Sequence, residues 1–196
     1  MNSTHLLSRQ DLWSLEDYAT HRADYRALVM QHKKNRQVSL GANATLYFEN
    51  RLTIKYQIQE MLRIEKVFEA EGIAEELETY NPLIPDGSNW KATFMIEYAD
   101  AEIRAAQLAK MKGIEDLVWV QIDGFDKVWC ISNEDLERTN DVKTSSVHFM
   151  RFELSPEMIA QAKQGASVSM GVEHSVYTHS TQLDDETRQS LINDLN

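Results

Sequence analysis

The segment Leu117-Val-Trp-Val-Gln-Ile-Asp-Gly-Phe-Asp-Lys-Val-Trp-Cys-Ile131 decides the fold class of this sequence. It holds two apolar runs rich in Val, Trp and Ile, which are typical of β-strands. The Asp-Gly pair between the runs is typical of the tight turn of a β-hairpin. Because a hairpin joins antiparallel strands, the segment favours a largely antiparallel sheet over a doubly wound parallel one.

Helical and extended patterns continue on both sides of this hairpin. Helices are predicted over Leu15–Arg36, Leu52–Glu71, Ile73–Thr79, Asp100–Met111, Pro156 to about Gly165 and Asp184–Leu195, and further strands over Gln37–Gly41, Thr45–Glu49, Lys91–Tyr98, Ser145–Leu154 and Ser167–Tyr177. The mixture predicts an α+β fold with a largely antiparallel sheet covered by several helices. We expect a single domain over 1–196, in which a helical N-terminal region (about 9–80) packs on a sheet-containing region (about 90–180).

The charge of the chain is unevenly distributed. The 196 residues carry a formal net charge of −11. Residues 1–66 hold ten basic and seven acidic side chains, net +3, whereas residues 67–196 hold ten basic and twenty-four acidic ones, net −14. Nucleic-acid binding needs clustered Lys and Arg, so this acidic balance argues against it. The basic N-terminal third either holds an anion or pairs with the acidic remainder.

Cysteine content and hydropathy indicate the compartment. Cys130 is the sole cysteine of the sequence, which rules out an intrachain disulfide and a multi-cysteine zinc site. The first residues lack the apolar core of a signal peptide, and no apolar run approaches the roughly twenty residues of a membrane span. We therefore expect a soluble, reduced, cytoplasmic protein without a membrane partner.

Several longer motifs resemble a known family. They are Tyr25-Arg26 with His32-Lys-Lys34, Thr45-Leu-Tyr-Phe-Glu49, Tyr56-Gln-Ile-Gln-Glu-Met-Leu-Arg-Ile-Glu65, Tyr80-Asn-Pro-Leu-Ile-Pro-Asp-Gly87 and Lys143-Thr-Ser-Ser-Val-His-Phe-Met-Arg-Phe-Glu-Leu154. Together they resemble a bacterial family of about this length that is known only as a conserved domain of unknown function. Its members tend to be encoded near rubrerythrin-like proteins and iron–sulfur oxidoreductases. The resemblance implies a redox or oxidative-stress setting, but it implies no reaction and no catalytic residues.

One carboxylate falls inside an apolar stripe of a predicted helix. At 100° per residue, Glu65 lies between Ile54 and Ile58 on the stripe of the helix Leu52–Glu71. Burying an unpaired charge is costly. Glu65 is therefore expected to be protonated, paired with an Arg of the first helix, or bound to a ligand or metal. The remaining alternative is a Glu65 that faces solvent.

Arginines supply the candidate anion-binding residues. The first predicted helix has a face that mixes Tyr, Arg and His, with Arg22 on this face and Arg26 on its flank. Guanidinium groups match the geometry of carboxylate and phosphate, so both residues, and Arg151 on a later strand, are candidates for binding a small anion. The alternative is that the arginines of the first helix pair internally with Glu65 or Glu97.

Two histidines on predicted strands are the candidate metal ligands. His148 lies in the strand Ser145–Leu154, whose two faces are both partly apolar, as expected of a central strand, and His174 lies in a later strand. If these strands are neighbours, both imidazoles converge with Glu65 or Glu97, and two His with one carboxylate can bind ferrous iron or another divalent metal. The alternative is that His148 is a hydrogen-bonded core residue.

Three functions follow from these patterns. The first is a non-catalytic accessory or regulatory protein that binds a redox partner, and the second is a metal-binding protein or metal-dependent enzyme that uses His148, His174 and a carboxylate. The third is a small-anion-binding protein or enzyme that uses Arg22, Arg26 and Arg151. The sequence does not decide whether the protein is an enzyme. Exposed tryptophans on the hairpin would mark a homodimer surface.

Overall fold

Six α-helices and two antiparallel sheets form the part of the chain described by the computed structural model, residues 6–134, 138–139 and 142–196. The helices are α1 (Leu15–Lys34), α2 (Arg51–Glu65), α3 (Ala70–Tyr80), α4 (Ala101–Lys110), α5 (Pro156–Lys163) and α6 (Asp185–Ile192). The strands are β1 (Gln37–Ser39), β2 (Ala44–Phe48), β3 (Asn89–Ile96), β4 (Val118–Ile122), β5 (Val128–Trp129), β6 (Ile131–Ser132), β7 (Val147–Glu153), β8 (Val168–His174) and β9 (Tyr177–Gln182).

All strand pairs are antiparallel. The larger sheet has the order β1-β2-β3-β7-β6 and the smaller sheet the order β5-β4-β8-β9. The expected α+β class with a single domain is therefore confirmed. The predicted hairpin is present, since Trp119 of β4 lies opposite Trp129 of β5. The expected last strand, by contrast, is one arm of a second hairpin, β8–β9.

The larger sheet separates two apolar clusters. Side chains of β2, β3 and β7 alternate between its faces, and the inner face places Leu46, Phe94 and Phe152 in a core shared with the smaller sheet. The outer face lies under α1, α2 and α3. A second cluster, which includes Ile54 and Ile58 of α2, packs between these helices. The outer face of the sheet and the helical layer enclose the site described below.

The boundaries of α2 differ from the prediction. Asn50 caps its start, because the Asn50 side chain accepts hydrogen bonds from the backbone N–H groups of Leu52 and Thr53. The helix ends at Glu65, where Lys66 adopts the left-handed conformation with φ 57°. The sequence predicted that a helix ends just before Gly72. In the structure Gly72 lies inside α3 instead. Within the described residues no helix has both the length and the apolar character that a bilayer crossing requires.

The predicted strand Lys127–Ile131 is divided between the two sheets. β5 pairs with β4 in the smaller sheet, whereas β6 pairs with β7 in the larger one. Cys130 lies at the crossing, where its thiol donates to the Glu115 carbonyl at 2.8 Å. Burial raises the pKa of the Cys130 thiol to about 12. This environment is that of an unreactive core cysteine.

A buried arginine fastens the C-terminal helix to the larger sheet. Arg36 is 1% exposed and pairs with Asp194. It also donates to the carbonyl oxygens of Phe48 (3.1 Å), Glu49 (3.0 Å) and Ser190 (3.1 Å). These contacts join the end of α1, the end of β2 and α6 in one hydrogen-bonded unit.

Candidate functional site

A half-closed cleft lies between the helical layer and the outer face of the larger sheet. Its volume is about 530 Å³. Its apolar walls are Met30, Ile54 and Leu83 on the helical side and Met95, Val147 and Phe149 on the sheet side. Clefts of 300–1,000 Å³ with apolar walls and a few polar groups are the usual sites for small molecules.

Two lysines line this cleft. Lys33 and Lys34 both line it and form the last turn of α1, where basic side chains interact favourably with the helix dipole. Lys33 also lies 6.0 Å from the centre of the Tyr56 ring. Neither ammonium group forms an ion pair with a carboxylate among the described residues. An acidic protein thus presents two cations to a small-molecule cleft.

A fixed carboxylate also lines the cleft. Glu49 follows β2 directly and accepts hydrogen bonds from the hydroxyl groups of Thr53, at 2.6 Å, and Thr93, at 3.0 Å. Thr53 is itself held, because its hydroxyl oxygen accepts from the backbone N–H of Asn50. The Glu49 carboxylate is therefore oriented by the same residues that start α2. It can accept a hydrogen bond from a donor on a bound molecule.

Tyr47 connects the cleft with Glu97, one of the predicted ligand-binding residues. Its hydroxyl group donates to Glu97 Oε2 at 3.4 Å, and burial together with the Glu97 charge raises the pKa of Tyr47. Glu97 itself is exposed beyond the end of β3. The structure records no contact between Glu97 and the predicted histidines within its described residues.

Arg22 pairs with α2, as one alternative expected, but with a different glutamate. It donates to Glu60 through Nε at 2.7 Å and Nη2 at 2.9 Å, and the Tyr18 hydroxyl donates to the same carboxylate at 2.7 Å. Chiefly because of Arg22, the pKa of Glu60 falls to about 2. Glu60 already satisfies Arg22, whereas Arg26 is exposed on α1. The two arginines do not form the joint anion clamp that the helix pattern predicted.

The expected burial of Glu65 is wrong. Glu65 is the last residue of α2 and is exposed. Phe68, which the predicted helix Leu52–Glu71 also included, is 73% exposed. The reason is the left-handed turn at Lys66, which redirects the chain before the stripe completes another turn. Burial together with the Glu65 charge raises the pKa of Glu76 on α3. Glu65 therefore faces another carboxylate, and no arginine contacts it within the described residues.

His148 is a fully buried member of a polar network on the inner face. Its Nε2 lies 2.9 Å from Thr144 Oγ1 and 3.0 Å from the Ser145 carbonyl oxygen, and its Nδ1 lies 3.1 Å from Asn133 Nδ2. Burial lowers the pKa of His148. The expectation of a hydrogen-bonded core histidine agrees with these contacts.

Sequence reasoning missed Glu115, the carboxylate at the centre of this network. Glu115 is 5% exposed and accepts from the hydroxyl groups of Thr139 and Thr144. Since Thr144 has one hydroxyl proton and donates it to Glu115, His148 Nε2 must carry the proton that it shares with Thr144 and Ser145. The available signal was the acidic pair Glu115-Asp116 between Ile114 and the apolar run that begins at Leu117.

His174 lies in the other sheet. It belongs to β8, which pairs with β4 and β9, whereas His148 belongs to β7. His174 Nε2 lies 3.2 Å from the Lys112 carbonyl oxygen, and its Nδ1 accepts from the backbone N–H of Val176. The condition for a shared metal site, that the two histidine strands be neighbours, is therefore not met. Among residues 6–134, 138–139 and 142–196, no three His, Cys, Asp or Glu side chains are arranged to hold a metal ion.

Arg151, the third predicted cation, lies on the outer face of β7. Its Nε and Nη2 donate to the two oxygens of Glu134 at 2.9 and 2.8 Å, and its Nη1 donates to Glu153 at 2.5 Å. Arg151 lines a smaller cavity that adjoins the cleft. Of the predicted residues, Arg151 and Glu97 thus each line a smaller cavity that shares residues with the cleft.

Comparison with known proteins supports the predicted resemblance to a family of unknown function. A family model described as "Protein of unknown function (DUF3501)" matches residues 6–195. A crystal structure of a protein of unknown function from Burkholderia pseudomallei K96243 has 48% sequence identity and a TM-score of 0.92, and the match covers 97% of this chain and 99% of that chain. The curated proteins give no match. The fold described above is therefore shared over nearly the full length of both chains.

Proposed function

The chain belongs to the DUF3501 family, and we propose that it is a non-catalytic accessory protein that acts by binding a small organic anion in the cleft between its helices and its larger sheet. The observation that carries this proposal is the pair Lys33 and Lys34 in the lining of the cleft of about 530 Å³. In a protein of net charge −11, two ammonium groups that form no ion pair with any carboxylate of the described residues favour an anion at this cleft.

The walls of the cleft define the rest of the ligand. Met30 and Ile54 face Met95 and Phe149 across the space, so the bound molecule would have an apolar body. Its anionic group would lie against Lys33 or Lys34, as a carboxylate does in a charge-assisted hydrogen bond. These residues recognise and orient a ligand; they do not form a pair of nucleophile and base.

Binding is tested with octanoate and octanamide, which share an apolar chain and differ in charge. Isothermal titration calorimetry should show octanoate binding to the wild type and octanamide binding more weakly. The Lys33→Gln, Lys34→Gln double variant should lose roughly tenfold in octanoate affinity, because a charge-assisted hydrogen bond is lost. The control is Lys110→Gln, Lys163→Gln, which removes two exposed charges from α4 and α5.

Two results of this measurement would contradict the proposal. Equal binding of octanoate and octanamide would show that the lysines do not select an anion. Equal losses in the cleft variant and the control variant would show that only net charge matters. A redox partner, expected from the family resemblance alone, is tested separately by affinity purification from native cells, where the absence of any rubrerythrin-like or iron–sulfur protein would count against it.

A further inference from the structure

A second cavity continues the cleft along the outer face of the larger sheet. It has a volume of about 270 Å³ and shares Leu83 and Phe149 with the main cleft. The shared residues come from opposite walls, since Leu83 follows α3 and Phe149 lies on β7. The two cavities therefore adjoin each other and lie over one surface of the sheet.

Two basic side chains line this second cavity together with Glu134. Lys91 of β3 and Arg151 of β7 lie directly opposite each other in the sheet, and both side chains line the cavity. Lys91 Nζ donates to the Pro82 carbonyl oxygen at 2.6 Å, and burial lowers the pKa of Lys91. Lys33 and Lys34 thus line the first cavity, and Lys91 and Arg151 line the second, which adjoins it.

Glu134 binds the Arg151 guanidinium in the same way as the carboxylate of a ligand would. Both of its oxygens accept from Arg151, at 2.8 and 2.9 Å, which is the two-point geometry that a free carboxylate also adopts. The Arg151 side chain is 25% exposed, whereas the Glu134 side chain is 52% exposed. Ion pairs with such an exposed partner contribute little to the free energy of unfolding. The carboxylate of a ligand could therefore displace Glu134 from Arg151 at a small cost in free energy.

We propose that the ligand is a linear dicarboxylic acid with an apolar chain, whose second carboxylate replaces Glu134 on Arg151. This inference rests on the proposed function, since the first carboxylate lies against Lys33 or Lys34. The chain between the two carboxylates crosses the apolar section formed by Leu83 and Phe149. Glu134 then acts as an internal competitor for the second subsite.

The experiment compares adipate, suberate and sebacate with hexanoate, octanoate and decanoate by isothermal titration calorimetry. One dicarboxylate should bind more tightly than the monocarboxylate of the same length. Arg151→Gln should abolish that gain and leave monocarboxylate binding unchanged. Glu134→Ala should raise the affinity for the dicarboxylate roughly threefold, because the competing exposed ion pair is removed.

Glu78→Ala is the matched control for Glu134→Ala, because it removes an exposed carboxylate from α3. The inference is overturned if monocarboxylates bind and no dicarboxylate binds more tightly, or if both Glu→Ala variants raise affinity equally. In either case the proposed anion site stands. If neither class of acid binds the wild type, the proposed function fails and this inference fails with it. Glu134→Ala remains informative if Arg151→Gln does not fold.

Discussion

Removing Asp194 should destabilise the protein more than any change to an exposed ion pair. Arg36 is 1% exposed, and Asp194→Leu would leave its guanidinium buried without a counter-charge. An arginine cannot release its proton to escape this situation. The carbonyl oxygens of Phe48, Glu49 and Ser190 would still accept its hydrogen bonds, but they carry no net charge.

The expected loss in the free energy of unfolding is about 3 kcal/mol, near the lower end of the range of about 3–5 kcal/mol for breaking a buried pair. The lower end applies because the three carbonyl groups still solvate Arg36. Burial raises the pKa of Asp194 even though Arg36 faces it, which shows that desolvation offsets much of the attraction within the pair. The double variant Arg36→Met, Asp194→Leu should therefore lose about 1–3 kcal/mol less than the sum of the single losses.

Urea denaturation followed by circular dichroism measures these losses. The control is Asp185→Ala on the same helix, because Asp185 pairs with Arg188 at 3.4 Å and its side chain is 96% exposed. That variant should lose less than about 1 kcal/mol. If Asp194→Leu and Asp185→Ala lose equal stability, or if the double variant shows full additivity, Arg36 does not depend on Asp194 and the reasoning is refuted.

Three further predictions concern the core and its polar groups. Gly171→Ala should destabilise by about 1–3 kcal/mol in urea, because a Cβ there would lie 2.5 Å from the Trp119 ring; an unchanged midpoint would show that the ring can move. The pKa of His148 is lowered from 6.5 by burial, so wild-type stability should fall as the pH drops below 6.5, and a His148→Asn variant with the same slope would contradict this. Glu60→Gln should lose about 1 kcal/mol at neutral pH. Because the pKa of Glu60 is lowered from 4.5 to about 2, that difference from the wild type should shrink between those values, and a constant difference would refute the assigned ion pair.

The fold class was predictable from local signals. The hairpin at Asp123-Gly124 and the alternation in β7 are properties of short segments, and both are present in the structure. The division at Cys130 was not predictable, because the choice between two sheets depends on partners distant in sequence. The end of α2 was misplaced for a related reason. Lys66 has no local signature of a left-handed residue, which is usually glycine or asparagine at a helix end.

The cleft could be predicted only in part. Lys33 and Lys34 fall near the end of the predicted helix Leu15–Arg36, and in the structure they form the last turn of α1. Their position beside Glu49 depends on the packing of α1 against β2 and α2, which no single segment encodes. Arg151 was identified as a candidate cation from its strand alone. Its partner Glu134 was not identified, because the pairing of β6 with β7 was not predicted.

Strand β7 carries two polar sites of different kinds, and the contrast indicates where ligands bind. His148 points to the inner face, where Thr144, Ser145 and Asn133 already supply its hydrogen bonds. Arg151 points to the outer face, where its principal partner is largely exposed and replaceable. Because successive side chains of a strand alternate between faces, one short segment both closes the core network and opens the second subsite. On the outer face the partners of Arg151 are the carboxylates of Glu134 and Glu153, whose side chains are 52% and 44% exposed, so a carboxylate from solvent can compete with them for the guanidinium.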